Sequence, residues 1–507
     1  MRLTTAQTDR ACGVVLGSAV GDALGAGYEF GSAPLGPDGP QMIGGGLGNF
    51  APGEWTDDTS MTWPILETAA KGVDLRSPEA LDAIARGFLD WYATTPPDVG
   101  TQTRRVLSAI TQPTLPEVPP STFPEEVAQR PSRRDVTTAD LASRMTAAAA
   151  DLHARTGHTA GNGALMRTSP VALAHLDDPV ALVEAAMAVS ALTHTDERSG
   201  QASALWSLAI RHAVLEGELD LRAGLEHLPA DARGYWAERI DEAEIREPGT
   251  FSPNGFVVTA LQAAWSAIHH TPVPERMPCL HLQHSLDTAI RIGNDTDTVA
   301  AIAGGLLGAR WGASAVPAAW RRIVHGYPGV GVERLVELAQ LAVTGGKGGA
   351  KRWPLPERID YSGWGGTDAL ARHPHDDGVW LGGVDALDNL PDGVTAVVSL
   401  CQVGSQQVPK GVEHVVFRLI DQPDTDKNPN LEFVIDDAAR TVQALREEGH
   451  VVLLHCVAAQ SRTPTVGAAY ARARGVAGDE AIDAVLDALP AASPNSAFLA
   501  TFKDIPN

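Results

Sequence analysis

At 507 residues the chain exceeds what one hydrophobic core supports, so at least two domains are expected. Hydrophobic residues at 44% and charged residues at 20% are those of an ordinary globular protein, and the 50 glycines and 35 prolines are scattered as turns rather than gathered into low complexity. A formal charge of −23 repels a phosphate backbone and excludes a general nucleic-acid binder, though metals or local arginines can still favour a small anion.

Four cysteines, at 12, 279, 401 and 456, form no close pair. They offer neither a zinc pattern nor a disulfide framework and suit a reducing compartment. The apolar run from Ala11 is preceded by Asp9 and Arg10 and broken by Asp22, unlike a secretory signal. No uncharged stretch reaches the ~18 residues needed to cross a bilayer. A cytoplasmic protein with no membrane role is expected.

Up to about residue 345 the periodicity is helical. Leu81, Ile84, Ala85, Phe88, Leu89 and Tyr92 recur at steps of three and four. Leu205, Leu208, Ala209 and Ala213 do the same, as do Leu261, Ala264, Trp265 and Ile268. No alternating strand interrupts them, and the proline-rich stretch 111–135 reads as a loop or insertion. An all-α domain over 1–345 follows.

Within it, Thr56-Asp57-Asp58-Thr59 and Asn294-Asp295-Thr296-Asp297-Thr298 each precede a helical run. Singly, each is explained by helix capping, since Thr and Asp satisfy free N–H groups at the positive end of the dipole. Together, Asp57, Asp58, Asp295 and Asp297 carry four negative charges, which two divalent cations would neutralise. Hard oxygen donors without His or Cys point to Mg²⁺ or Mn²⁺ rather than zinc. Glu29 adds a third acidic element on the Gly-rich turn GDALGAGYEF (21–30), suited to a mobile flap, with a solvated loop acid as the alternative.

The tract GGKGG (345–349) followed by WPLP (353–356) reads as a linker, placed at 346–372. Behind it, VTAVVSL (394–400), HVVFRLI (414–420) and VVLL (451–454) read as short buried strands. A helix over 433–448 separates the last two, and another follows Arg462. This alternation predicts a small α/β domain over 373–507 around a largely parallel sheet. In HCVAAQSRT (455–463), Cys456 and Arg462 flank a loop able to wrap one phosphate in backbone N–H groups. Cys456 would be the nucleophile, Arg462 would bind two oxygens, and Thr463 would assist the thiolate or its departure. A buried Cys beside a surface Arg is the plain alternative.

The ordered motifs GDALGAGYEF, GEWTDDTSMT, DVGTQTRRVL, GNGALMRTSP, THTD and GNDTDTVAAIAGGLLGA resemble the ADP-ribosylglycohydrolases, of the dinitrogenase-reductase-activating type, over about residues 16–312. The resemblance implies an all-α fold and two divalent metals, Mg²⁺ or Mn²⁺. Thr56, Asp57 and Asp58 would lie on one side of the pair, and Asp295, Asp297 and Thr298 on the other. It implies Glu29 as a flap glutamate that activates water or contacts ribose, and Asp98 as an acid near the distal ribose. Either would be the catalytic proton-handling group. The turn with Asn162, Gly163 and Ala164 would receive the diphosphate, since glycine permits close backbone approach. His194 matches a ribose-contacting position, with a hydrogen-bonded core histidine as the alternative. The implied activity is metal-dependent hydrolysis of the N- or O-glycosidic bond between ADP-ribose and an acceptor on a protein or small molecule.

From about residue 379 the chain resembles the cysteine-dependent dual-specificity phosphatases, through VWLGG (379–383), GVTAVVSL (393–400) and the Cys456–Arg462 motif. This implies a phosphorylated substrate and a general acid on a loop after a middle strand, with Asp421 as the choice and Asp424 close behind. At Ala459 the chain departs from that family, which usually has glycine. If the position needs positive φ, alanine costs about 1 kcal/mol, and phosphate binding without catalysis is the fallback. Two other functions stay open: a signalling phosphatase targeted by its helical domain, and a noncatalytic ADP-ribose-binding protein, which would have no need of four aspartates.

Overall fold

The computed structural model describes residues 2–111, 140–348 and 356–504. Most of the expected proline-rich loop and the stretch 349–355 of the expected linker lie outside them. The first part is helical, in the order α1 (Thr5–Gly25), α2 (Asp57–Ala69), α3 (Pro78–Ala93), α4 (Thr101–Thr111) and α5 (Leu141–Thr156). It continues through α6 (Ser169–Ala174), α7 (Pro179–Ala191), α8 (Glu197–Glu216), α9 (Arg233–Ile245) and α10 (Val257–His270). It closes with α11 (His281–Arg291), α12 (Thr296–Trp311), α13 (Ala318–Arg321) and α14 (Val332–Val343). The helical periodicities at 81–92, 205–213 and 261–268 fall in α3, α8 and α10. Between α13 and α14 lies a short ribbon of β1 (His325–Gly326) and β2 (Val330–Gly331) that the periodicity does not reveal.

One close helix pair organises this part. Gly13, Gly17, Gly21 and Gly25 recur every fourth residue of α1 and face Gly308, Gly304, Ala300 and Asp297 of α12. A methyl group on Gly17 would stand 2.2 Å from the Gly304 carbonyl oxygen, and one on Gly21 2.1 Å from that of Ala300. The backbones touch, which only residues lacking Cβ permit. The seam ends where Asp22 and Asp297 ride on the two helices, and Thr296 Oγ1 locks it by donating to Gly25 O (2.8 Å). By length and composition the segment Thr5–Gly31 could cross a membrane, but its apolar window is wholly buried inside the protein.

The second part is α/β. Its sheet runs β3 (Leu370–His373), β4 (Asp376–Gly382), β7 (Val451–His455), β5 (Val394–Ser399) and β6 (Glu413–Val416) in spatial order. Only the β3–β4 pair is antiparallel. Helices α15 (Leu431–Glu447), α16 (Arg462–Ala473), α17 (Gly478–Ala488) and α18 (Ser496–Asp504) complete it. Two expectations change. The strand expected over 414–420 ends at Val416; Phe417 N still donates to Ser399 O (2.8 Å), and beyond it Arg418 reaches Thr5 O of α1 (3.1 Å). Residues 356–372, expected as linker, pack on the α/β part instead. Ile359 N donates to Gln407 Oε1 (3.0 Å), Tyr361 Oη to Gln402 O (2.6 Å), and β3 forms the sheet edge.

Candidate active sites

Thr56 precedes α2 and Asp295 precedes α12 at the cap position, yet neither side chain makes a capping hydrogen bond. The start of α2 is capped from another helix. Asp22 of α1, fully buried, accepts through Oδ1 from Thr56 N (2.8 Å) and through Oδ2 from Thr59 N (2.9 Å) and Thr59 Oγ1 (2.6 Å). The Thr56 hydroxyl lies between Asp22 Oδ1 (2.9 Å) and Asp58 Oδ2 (3.1 Å). Relieved of capping, the acids face one another. Carboxylate oxygens of Asp22, Asp58 and Asp297 all lie within 4.8 Å of each other, and those of Glu29, Asp98 and Asp297 do likewise. Thr298 Oγ1 is 3.4 Å from Asp58 Oδ2. Asp57 and Asp295 stand at the margins, accepting from Gly100 N (3.1 Å) and Asn162 Nδ2 (2.7 Å).

Burial, reinforced by the neighbouring Asp98 and Asp295 carboxylates, pushes Glu29 up to about 9. Burial beside Asp98 takes Asp57 to about 7, and burial beside Asp22 and Asp58 respectively holds Asp58 and Asp297 well above the usual carboxylate range. Asp58 Oδ1 and Glu29 Oε2 are buried with no hydrogen-bond partner among the described residues. Such oxygens are costly unless protonated or matched by a cation. An all-oxygen donor set of this charge fits hard divalent ions. Glu29 is therefore no solvated loop acid: its segment is pinned where Phe30 N donates to Asn294 O (2.7 Å), with Phe30 at φ 48°.

Asn162 and Ala164 bound a short 3₁₀ turn tied to this cluster through the Asn162 amide. A methyl group on Gly163 would stand 3.2 Å from His194 Cε1, so the ring packs against the turn. His194 is buried, its Nδ1 2.8 Å from Thr193 Oγ1, and burial together with Arg167 drives its pKa well below 6.5. It is a neutral, hydrogen-bonded core residue that also borders the turn. Beside Asp57 and Asp98 opens a cavity of about 490 Å³ with Glu54, Trp55, Trp91 and Tyr327 in its lining.

The second site lies where β7 gives way to α16. Ala459 has φ +49° there, so the backbone does demand the left-handed region. Arg462 is only 8% exposed, which removes the surface-arginine alternative. Its Nη1 donates to Leu400 O (2.9 Å) and Leu419 O (3.1 Å), while Nε has no hydrogen-bond partner among the described residues and lies 3.6 Å from Asp421 Oδ2. Asp421 Oδ1 accepts from Asn495 Nδ2 (2.9 Å). Cys456, Asp421, Gln460, Arg462 and Trp364 line one cavity of about 280 Å³. Asp424 is exposed and occupied with Asp426 N (3.0 Å), and the Thr463 hydroxyl points to Gly382 O (3.4 Å).

A model of the family described as ADP-ribosylglycohydrolase matches residues 3–350. The chain belongs to the ADP-ribosylglycohydrolase family. It is 28% identical over 321 residues to ADP-ribosyl-[dinitrogen reductase] glycohydrolase of Rhodospirillum rubrum, covering 62% of this chain and 89% of that one. ADP-ribosylarginine hydrolase Tri1 of Pseudomonas putida (strain GB-1) is 26% identical over 325 residues, covering 62% and 73%. The C-terminal part is similar to Dual specificity protein phosphatase 1 of Arabidopsis thaliana, 29% identical over 133 residues, 25% of this chain and 65% of that one. The glycohydrolase part is thus followed by a phosphatase-like region.

Within the glycohydrolase part, Asp58 and Asp297, expected at the metal pair, and Glu29 and Asp98, expected to handle protons, lie in one acidic cluster with Asp22, while Asp57 and Asp295 flank it. Sequence reasoning gives Asp22 no role. The signal that finds it is an acid set inside an apolar, glycine-repeating helix, where an unpartnered charge would be prohibitive.

Proposed function

We propose that the first part is an ADP-ribosyl-acceptor hydrolase. The observation that carries this is the convergence of Glu29, Asp58, Asp98 and Asp297, two of them with buried unpartnered oxygens. Thr56, Asp57, Asp58, Asp295, Asp297 and Thr298 would hold two divalent cations, Mg²⁺ or Mn²⁺. When bound, these supply positive charge that offsets the acids and binds the ribose hydroxyls. Asn162, Gly163 and Ala164 receive the diphosphate, and His194 backs that turn against the ribose. The bond from the anomeric carbon to the acceptor breaks with its electron pair leaving on the acceptor atom, as positive charge spreads over the sugar ring. Water adds to that carbon, and Glu29, which cations beside it would hold as a carboxylate, takes the water's proton at Oε2 and passes it to the departing acceptor atom. Asp98 faces the same space and stabilises the cationic ring. The acceptor is arginine: the cavity beside Asp57 and Asp98 combines acidic Glu54 with aromatic Trp55, Trp91 and Tyr327, a lining suited to guanidinium. Relatives named as ADP-ribosylarginine hydrolases support this choice.

The test incubates the full chain with ADP-ribosyl-arginine and ADP-ribosyl-serine substrates, with and without Mg²⁺ or Mn²⁺, and reads free ADP-ribose. Release from arginine that requires a divalent ion and is lost in Asp297→Asn is expected. Metal-independent release, or an unimpaired variant, refutes the mechanism. Tight binding without turnover would favour the noncatalytic alternative.

A second activity, phosphate-monoester hydrolysis, rests on Cys456, Arg462 and Asp421 sharing one cavity. Cys456 Sγ attacks phosphorus, Arg462 binds two phosphoryl oxygens, and the leaving oxygen takes a proton from Asp421. Water then displaces the sulfur, giving its proton to Asp421 and releasing phosphate. The reducing compartment expected from the cysteine usage suits such a thiolate. Phosphatase activity lost in Cys456→Ser is expected. Its absence in the unaltered chain leaves phosphate binding as the role of this cavity.

A further inference from the structure

The loop that carries Asp421, between β6 and α15, is held by its own domain through Phe417 N to Ser399 O (2.8 Å), Arg462 Nη1 to Leu419 O (3.1 Å) and Asn495 Nδ2 to Asp421 Oδ1 (2.9 Å), and is fastened at both ends to the glycohydrolase part as well. At the first end, Arg321 Nη1 donates to Val416 O (2.9 Å), and its guanidinium lies 5.0 Å from the centre of the Phe417 ring. Arg418 then reaches back to α1: its Nη2 donates to Thr5 O (3.1 Å), and its Nε lies 3.7 Å from Asp9 Oδ1. Asp9 is buried and is itself held by Ser314 N (3.2 Å) and Ser314 Oγ (2.5 Å). At the other end, buried Asn430 donates through Nδ2 to Trp311 O (2.6 Å), the last residue of α12, and to Ser314 Oγ (2.9 Å). Inside the loop, the Asn428 amide clasps Ile420 on both sides, with Ile420 N to Asn428 Oδ1 and Asn428 Nδ2 to Ile420 O each 2.8 Å. Asp421 is the next residue.

A loop of this length left to itself samples many conformations, and only a fraction present the acid to a leaving group. We infer that the glycohydrolase part positions the general acid of the phosphatase-like site, with Arg418 and Asn430 as the positioning residues that act through Asp421. The inference rests on the phosphatase reading above. Neither residue touches substrate; each fixes where Asp421 stands relative to Cys456 and Arg462. The fusion therefore contributes a part of the second active site, and tethering is only one of its effects.

General-acid assistance matters for a poor leaving group and little for a good one, which separates positioning from general damage. The experiment measures kcat on phenyl phosphate and on 4-nitrophenyl phosphate for the full chain and for Arg418→Ala, Asn430→Ala, Asp421→Asn and Cys456→Ser. Release of ADP-ribose from ADP-ribosyl-arginine is followed in parallel as a readout of intact fold. Arg418→Ala and Asn430→Ala are expected to lose about tenfold or more on phenyl phosphate, to keep most turnover of 4-nitrophenyl phosphate, and to release ADP-ribose as before. Asp421→Asn should show the same leaving-group selectivity, and Arg418→Lys, which keeps a positive charge beside Asp9, should restore part of the phenyl phosphate rate. Equal loss on both phosphates, or no loss on either, overturns the inference while the phosphatase reading stands. If the unaltered chain hydrolyses neither phosphate, or Cys456→Ser keeps full activity, the phosphatase reading fails and takes the inference with it.

Discussion

Asp22 shows how much one side chain can organise. Its two oxygens accept from both the backbone and the hydroxyl of Thr56 and Thr59, so it sets the first turn of α2 and thereby the aim of Asp57 and Asp58. Losing a cap costs about 0.5–2 kcal/mol, and the buried N–H groups left behind add to it. Asp22→Ala is expected to lower stability by about 2 kcal/mol or more and to weaken Mn²⁺ binding, read as a lower melting temperature and a smaller upward shift on adding Mn²⁺. A wild-type shift would show that α2 holds its aim without it. Ala459 poses the opposite case. Its φ of +49° strains any side chain, so Ala459→Gly is expected to raise stability by about 1 kcal/mol in denaturant melts. That strain was foreseeable from the motif, because the position within a phosphate-wrapping loop constrains the backbone. The role of Asp22 was not, because its partners lie 34 and 37 positions away and nothing local announces them.

At the scale of elements, the seam between α1 and α12 sets the sign of a substitution that propensity alone would misjudge. Alanine in place of a mid-helix glycine favours the helix by about 0.5–1 kcal/mol. At Gly17 the added methyl would meet the Gly304 carbonyl oxygen at 2.2 Å, and forcing a packed interface apart costs about 1–3 kcal/mol. Gly17→Ala is therefore expected to destabilise by about 1 kcal/mol or more in a denaturant titration; a stabilised variant would mean the helices can part cheaply. Long amphipathic helices such as α3 and strands such as β5 and β7 were legible because their periodicity reports one buried face. The end of β6 and the edge strand β3 were not. Past Phe417 the chain after the one turns toward a distant helix that Arg418 meets, and Leu370–His373, where only His373 is buried, lacks the apolar run that marks the other.

At the scale of the molecule, acidity acts in two opposing ways. With a net charge of −23, protonating surface acids relieves self-repulsion as pH falls from neutrality. His455 opposes this. Burial, with only partial compensation from Cys456 O, pushes its pKa from 6.5 to about 4, and its Nε2 shares the Ser399 hydroxyl (2.7 Å) with the neighbouring His414. A histidine that binds its proton less readily when folded contributes stability that is complete above pH 6.5 and is lost as pH falls toward 4. His455→Gln, which cannot titrate, is expected to flatten that loss in urea melts collected from pH 7 to 4.5; an unchanged slope would place the acid sensitivity elsewhere. Between the two parts, Arg322 pairs with Glu413 and Glu448 at a partly exposed rim worth little, whereas Asn430 is buried. The division into a helical and an α/β half was readable from the change in hydrophobic period near residue 350. That the halves interlock was not, because the residues responsible look like ordinary loop polars until the two surfaces meet.

The glycine seam also bears on how the proposed ions would enter the acidic cluster. Two helices whose main chains are in contact cannot slide or roll without a carbonyl striking a Cα, so the carboxylates mounted at that end have nowhere to drift. Cations bound as proposed would then fill a rigid socket rather than shut a jaw, and the energy of capture would go into holding the ion rather than into rearranging the protein around it.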